Sequence, residues 1–333
     1  MSTTTELHEI AVKMVSNGKG ILAADESSPT LSKRFEKLGI ESTEESRRTW
    51  REMLFTTPSL SKYISGTILF DETFNQSFSN GQSFPDALTA LGILPGIKVD
   101  TGAKELQGFP GETVTEGLDG LGARLEGYRE KGARFAKWRA VINIGENKPS
   151  RTALIANAHA LARYAKLCQQ NDIVPIVEPE VLMTGSHTIE ESFRATRAAL
   201  LATFEQLALF DVVLSEMVLK PSMVISGDKC EVQATEEEVA NNSVECYRQC
   251  VPAAVAGIAL LSGGQADALA TSHLNKMNSL HKDLPWPITF SYGRGLQDEA
   301  MRTWGGDANN FDHAQAALFK HAQANFKAAC GEL

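Results

Sequence analysis

Lys220 closes the apolar run FDVVLSEMVLK, and Pro221 follows it directly. A run of that composition reads as a buried strand, so the ammonium at its end must be paired or give up its proton. An unprotonated amine at the mouth of a pocket attacks carbonyl carbon and forms a Schiff base. Such an amine needs a nearby cation that favours its neutral form. It also needs an acid to expel water from the adduct and a base to take a hydroxyl proton when a carbon–carbon bond breaks. Lys137 and Arg139 in FAKWRAVI are the candidate cations, and Glu178, Glu180 and Asp25 are the candidate carboxylates. Carboxylates in unlike environments divide acid and base roles between them.

Two further segments have the composition of oxyanion cradles. LSGGQ (261–265) and YGRG (292–295) bring glycines whose backbone N–H groups can approach an anion, with the Ser262 hydroxyl and a bidentate contact from Arg294. Gly263 and Gly293 are the glycines singled out. Ser27, Ser28, Thr30, Lys33 and Arg34 form the second cluster, at the start of a helix, where anions are favoured. An ordinary capped helix with a solvated lysine and arginine is the competing reading of that cluster. Anion sites on opposite sides of Lys220 suit a substrate with a phosphate at each end.

Eight β-like runs must position these residues: 20–26, 65–71, 95–100, 135–144, 174–182, 211–220, 257–264 and 286–293. Helical patterns alternate with them. Ser28 followed by Pro29 predicts a helix start, and Ser42 with Glu45 and Thr235 with Glu238 fit capping boxes. ALIANAHALARYAKLCQQ and SFRATRAALLATFEQLAL carry the apolar stripe of helices lying on a sheet. Eight strands with helical crossovers predict an α/β fold, a parallel (β/α)8 TIM barrel. An open doubly wound sheet is the alternative; neither GxGxxG after the first strand nor a Walker motif supports it. Residues 1–333 read as a single domain, with helical segments at 1–17 and 312–330 as additions to the barrel.

The polar residues fall late in their strands: Asp25, Lys98, Glu178, Glu180, Lys220, Ser262 and Arg294, with Lys137 and Arg139 nearer the middle of theirs. C-terminal strand ends carry the chemistry of such barrels. Residues two apart share a face, which pairs Lys137 with Arg139, Glu178 with Glu180 and Lys98 with Asp100. The bland alternative is a salt-bridge layer inside the barrel. Convergence from several strands on one end weighs against it.

Composition narrows the partners. A net charge of −9 over 333 residues argues against general nucleic-acid binding, although a small site remains free to be locally positive. The five cysteines are odd in number and irregularly spaced, as expected of reduced cytosolic thiols. The N-terminus lacks a signal-peptide pattern, and no apolar stretch is long enough to span a membrane. His8, His159, His187, His273, His281, His313 and His321 are scattered, so neither a metal nor any other cofactor is expected.

LAADES, ILFDETFNQ, GIKVD, FAKWRAVI, VEPEVL, VLKPSMV, LSGGQ and SYGR occur in that order across nearly the whole chain. As an ordered set they resemble class I fructose-bisphosphate aldolase. The resemblance implies a (β/α)8 barrel and metal-free, reversible cleavage of fructose 1,6-bisphosphate to dihydroxyacetone phosphate and glyceraldehyde 3-phosphate. It also implies a cytoplasmic homotetramer. By motif, Lys220 looks like the Schiff-base lysine, Glu178 the principal acid/base, and Glu180 a carboxylate supporting the lysine. Asp25 resembles the residue that helps cleave C3–C4, and Lys137 and Arg139 the active-site cations. Lys98 resembles another substrate-binding lysine. Ser262, Gly263, Gly293 and Arg294 resemble the C1-phosphate site, and Ser27, Thr30, Lys33 and Arg34 the C6-phosphate side.

The chain departs from the family pattern in three places. Pro29 and Thr30 stand where a Gly-Ser pair is common, and Asp71 stands where animal members often have histidine. The chain ends in CGEL, without the tyrosine-terminated tail that assists proton transfer at the enamine carbon in animal members. Two rival functions are a transaldolase-like or deoxyribose-phosphate-type lyase, and a retired scaffold that binds a partner protein. The two anion cradles weigh against the first, and the intact set Lys220, Glu178, Asp25 and Lys137 against the second.

Overall fold

The computed structural model describes residues 5–333. In chain order its strands are β1 (Gly20–Ala24), β2 (Ile64–Leu69), β3 (Leu94–Lys98), β4 (Gly102–Glu105), β5 (Thr113–Glu116), β6 (Phe135–Ile142), β7 (Val174–Val181), β8 (Val218–Leu219), β9 (Gly257–Leu260) and β10 (Ile288–Tyr292). All but β4 and β5 are parallel and close into a barrel in the order β1-β10-β9-β8-β7-β6-β3-β2, with helices around it. Each of the eight β-like runs supplies one barrel strand, and the open-sheet alternative is excluded by closure between β1 and β10.

The period of two along each strand builds the interior. Ile21 and Ala23 of β1, Phe135 of β6, Val174 and Ile176 of β7, Val218 of β8 and Ala259 of β9 belong to one buried cluster. The helix Glu6–Val15 adds Leu7, Ile10, Ala11, Met14 and Val15 to it, plugging the N-terminal end of the barrel. The outer faces of the same strands, through Leu22, Ala24, Ala136, Val177 and Leu219, pack with the surrounding helices into the larger core. The expected helical segment at 1–17 is thus Glu6–Val15; residues 1–4 lie outside the described residues.

Glycines make room for aromatic rings near the N-terminal strand ends. A Cβ added at Gly96 would lie 2.2 Å from the Phe135 ring, and one at Gly20 2.5 Å from the Phe290 ring. Backbone and ring are both buried and neither can retreat, so Gly96→Ala is expected to destabilise by about 1–3 kcal/mol through overpacking. A denaturant titration checks this, and an unshifted midpoint would contradict it.

Several local expectations need correction. The run 211–220 is not one strand. A 3-10 turn occupies Leu214–Glu216, and only Val218–Leu219 is assigned as strand, although the Lys220 N–H continues the ladder to the Val177 carbonyl at 2.8 Å. The turn is drawn toward the N-terminal helix, where Thr5 bonds Glu216 and the His8 ring bonds the Ser215 carbonyl. The helix Ser28–Glu36 is preceded by Ser27 at the N-cap rather than by Ser28. The helix Glu44–Phe55 takes its capping box from Thr43 and Ser46, because the Ser42 hydroxyl is engaged by Ser32 at 2.7 Å. Thr235 and Glu238 form the expected box. The antiparallel hairpin β4–β5 was not foreseen: GAKE has no apolar alternation, and most of its residues are exposed. Its second strand lies along β6, with the Thr115 hydroxyl bonding the Arg139 carbonyl at 2.7 Å.

Candidate active site

The inward-facing positions that are apolar low in the barrel become ionisable at its C-terminal end. Ile21 and Ala23 lead to Asp25, Phe135 to Lys137 and Arg139, Val174 and Ile176 to Glu178 and Glu180, and Val218 to Lys220. Alternation thus carries six ionisable groups from four strands onto one surface with no special loop. They line a cavity of about 440 Å³.

Lys220 is 4% exposed, and its Nζ lies 3.1 Å from Glu178 Oε1. Lys137 Nζ lies 2.7 Å from Asp25 and 3.5 Å from Glu178 Oε2. One carboxylate therefore sits between two lysines, and Asp25 extends the chain of charges. Arg139 pairs with Glu180. Glu180, expected to support the Schiff-base lysine, has Arg139 as its ion-pair partner instead. Glu178 Oε2 is buried and accepts no hydrogen bond, with the Lys137 ammonium 3.5 Å away.

The charge states follow from this packing. Burial works against an ionised Asp25, but the ammonium groups of Lys137, Lys220 and Lys98 outweigh it and hold the carboxyl down at about 2. Burial likewise opposes a charged Lys137, yet Asp25, Glu178 and Asp100 raise its pKa well above the usual lysine value, so it remains a cation. A carboxyl depressed in the folded state adds stability that is present above its ordinary pKa of 3.8 and lost as pH falls through about 2. The shift corresponds to about 2 kcal/mol. Asp25→Asn is expected to remove that contribution near neutral pH and to flatten the acid limb of the stability curve between roughly pH 4 and pH 2. Thermal melts across that range read the difference, and parallel acid limbs in parent and variant would refute it.

The other candidate residues separate into those at the cavity and those away from it. Thr30, Lys33, Arg34, Ser262, Gly263, Gly293 and Arg294 line it. Ser27 and Lys98 do not: the Ser27 hydroxyl is 3.0 Å from that of Thr30, and Lys98 is tied to the Asp100 carboxylate at 2.7 Å and its carbonyl at 2.9 Å. Arg34 reaches the cavity wall but is neutralised by Glu26 and by Asp298 at 2.7 Å. The pairs belong to a partly buried network that includes Arg51, which bonds Glu26 at 2.7 Å.

Two charged lining residues were missed. Glu26 directly follows Asp25, which was singled out for its place late in the strand. Lys37 stands four residues after Lys33, the spacing that puts side chains on one helix face, and that signal was available. Lys33, Arg34, Lys37, Lys137, Arg139, Lys220 and Arg294 face the cavity against Asp25, Glu26, Glu178 and Glu180. The site is thus locally positive on an acidic chain, as an anionic ligand requires.

Comparison with known proteins agrees with this geometry. The sequence model of the family described as "Fructose-bisphosphate aldolase class-I" matches residues 6–333. A probable fructose-bisphosphate aldolase class 1 of Xanthomonas axonopodis pv. citri is 56% identical over 328 residues, covering 98% of each chain. The cytosolic fructose-bisphosphate aldolase 4 of Arabidopsis thaliana is 49% identical over 98% of this chain and 84% of its own. Among solved structures, a fructose-bisphosphate aldolase of Plasmodium falciparum, in complex with TRAP and a small-molecule inhibitor, superposes with a TM-score of 0.96. It is 43% identical over 98% of this chain and 94% of that one. With the closed parallel barrel and the lysine–carboxylate cluster at its C-terminal end, these matches establish that the chain belongs to the class I fructose-bisphosphate aldolase family.

Proposed function

We propose that the chain is a metal-independent Schiff-base aldolase that reversibly cleaves fructose 1,6-bisphosphate to dihydroxyacetone phosphate and glyceraldehyde 3-phosphate. The observation that carries this reading is the buried Lys220 amine, 3.1 Å from Glu178 Oε1 at the wall of a cation-rich cavity. Glu178 is placed to take the proton from Lys220, and the free amine then adds to the ketose C2 carbonyl. The same carboxyl returns the proton as the carbinolamine loses water, giving an iminium. That iminium accepts the electron pair of the C3–C4 bond while the C4 hydroxyl gives up its proton.

Between the two candidate bases for that step, electrostatics favours Glu178. A carboxylate held near 2, as Asp25 is, makes a poor proton acceptor at neutral pH. Glu178 also stands 3.1 Å from the Lys220 amine, beside the carbon to which that amine adds. Asp25 instead keeps Lys137 in place and charged, and Lys137 preserves a cation beside Glu178 through the cycle. Arg139 is anchored by Glu180 on the cavity wall. Ser262, Gly263, Gly293 and Arg294 would take the C1 phosphate, and Thr30 with Lys33 the C6 phosphate, with Lys37 as an added cation. Ser27, Arg34 and Lys98 enter as residues that shape the surroundings.

Borohydride reduction in the presence of fructose 1,6-bisphosphate tests the reading. A mass adduct on the peptide that carries Lys220 supports it. An unmodified peptide, or turnover abolished by chelators, rejects it. The proposal also includes a homotetramer acting in the cytoplasm. Support for the location comes from the Arabidopsis relative, named as cytosolic. No helix among the described residues is long and apolar enough to cross a membrane. Light scattering tests the assembly: a monomer or dimer mass at working concentration would remove the tetramer.

A further inference from the structure

The loop that ends β9 is held from behind by two side chains that do not line the cavity. Ser262 through Gln265 form a tight turn. The Gln265 N–H donates to the Ser262 carbonyl at 3.1 Å, and Gly263 and Gly264 have φ of 62° and 89°. Positive φ at both central positions is what a type I′ turn requires. The Gln265 side chain repeats the clamp: its Nε2 donates to the same Ser262 carbonyl at 3.0 Å and lies 3.5 Å from Met223 Sδ, three residues beyond Lys220.

With Nε2 committed as donor, Gln265 Oε1 is left as acceptor, and it faces His273 Nδ1 at 2.7 Å. An amide oxygen cannot donate, so the hydrogen resides on Nδ1 of the imidazole. Nε2 of the same ring is buried without a partner among the described residues. A proton there would be a buried charge with no acceptor, and burial accordingly holds the imidazole down at about 4. His273 is thus a neutral, single-tautomer donor whose one hydrogen bond orients Gln265.

We propose that Gln265 and His273 are positioning residues that fix the anion-binding shape of the Ser262–Gly264 turn. This rests on the reading of that turn as a phosphate site. The coupling extends to Arg294, because a Cβ at Gly264 would come within 3.2 Å of Arg294 Nη2, so turn and guanidinium pack against each other. When His273 no longer donates, the Gln265 amide is free to rotate and the Ser262 carbonyl loses its second donor. The turn's N–H groups then lose their aim, and Arg294 loses the surface it rests on.

Inhibition of fructose 1,6-bisphosphate cleavage by inorganic phosphate, read with KM and kcat on the full chain, tests the proposal. His273→Leu is expected to raise both the phosphate inhibition constant and KM about tenfold, the order of one hydrogen bond lost from the anion site. Its kcat should stay within about twofold, since no group acting only in the transition state is touched. His273→Asn places an amide nitrogen where Nδ1 was, and is expected to restore both constants to within about threefold of the parent. Gln265→Ala only removes atoms; it carries the same expectation as His273→Leu and decides the matter if the latter does not fold. Unchanged phosphate inhibition and KM with only a lower Tm would overturn the positioning role and leave the phosphate site standing. A parent chain that phosphate does not inhibit, with KM unmoved by Arg294→Ala, would overturn the phosphate reading and this proposal together.

Discussion

Lys220→Met is expected to abolish turnover and borohydride trapping together. Methionine keeps the unbranched, apolar stem that fills the end of β8 and removes only the nucleophile. Glu178 keeps Lys137 as a cationic neighbour at 3.5 Å, so the carboxylate is not stranded and the barrel should still fold. Loss of a covalent nucleophile costs on the order of 10⁴-fold or more in kcat. Steady-state assay and mass spectrometry after borohydride give paired readouts. Residual activity within about a hundredfold of the parent would mean that the reaction does not depend on this amine, since a nucleophile's loss has no such mild outcome.

Glu178→Gln is the second large effect. Glutamine preserves volume and leaves an amide oxygen for a lysine ammonium, but it cannot relay a proton. The expected fall in kcat is about 10²–10⁴-fold, the range for a general acid–base group. Schiff-base trapping should be slowed rather than eliminated, because dehydration of the adduct loses its acid while the amine remains. That split between the two variants is diagnostic. A Glu178→Gln enzyme within about threefold of the parent would move the proton-transfer role to another carboxylate, with Asp25 next in line despite its depressed pKa.

The fold was legible because its signals are local and periodic. Eight apolar runs separated by helical stripes leave few topologies, and alternation pairs Lys137 with Arg139 and Glu178 with Glu180 on one face of their strands, the face that the closed barrel turns inward. What misled was equally local. The stretch 211–220 has strand composition throughout, but its first half turns to meet the N-terminal helix, and composition does not register a partner two hundred residues away. The β4–β5 hairpin gave no signal because GAKE has no apolar face of its own, and β5 is tied by hydrogen bonds to the β6 carbonyls and to the Asn157 side chain.

The candidate site divides along the same line. Residue types and strand position determined which groups gather at the C-terminal end of the barrel, since a period of two and the parallel order fix face and end together. Which carboxylate neutralises which cation was decided by distances across the barrel. Lys137 proved to be the shared partner of Asp25 and Glu178, Arg139 that of Glu180, and Arg34 that of Glu26 and Asp298. Ion pairing falls off with separation and is set by burial, and neither quantity is written along the chain. The sequence thus named the reactants of the site, and only closure of the barrel, by bringing strands remote in sequence within a few ångströms, decided their pairing and their charge.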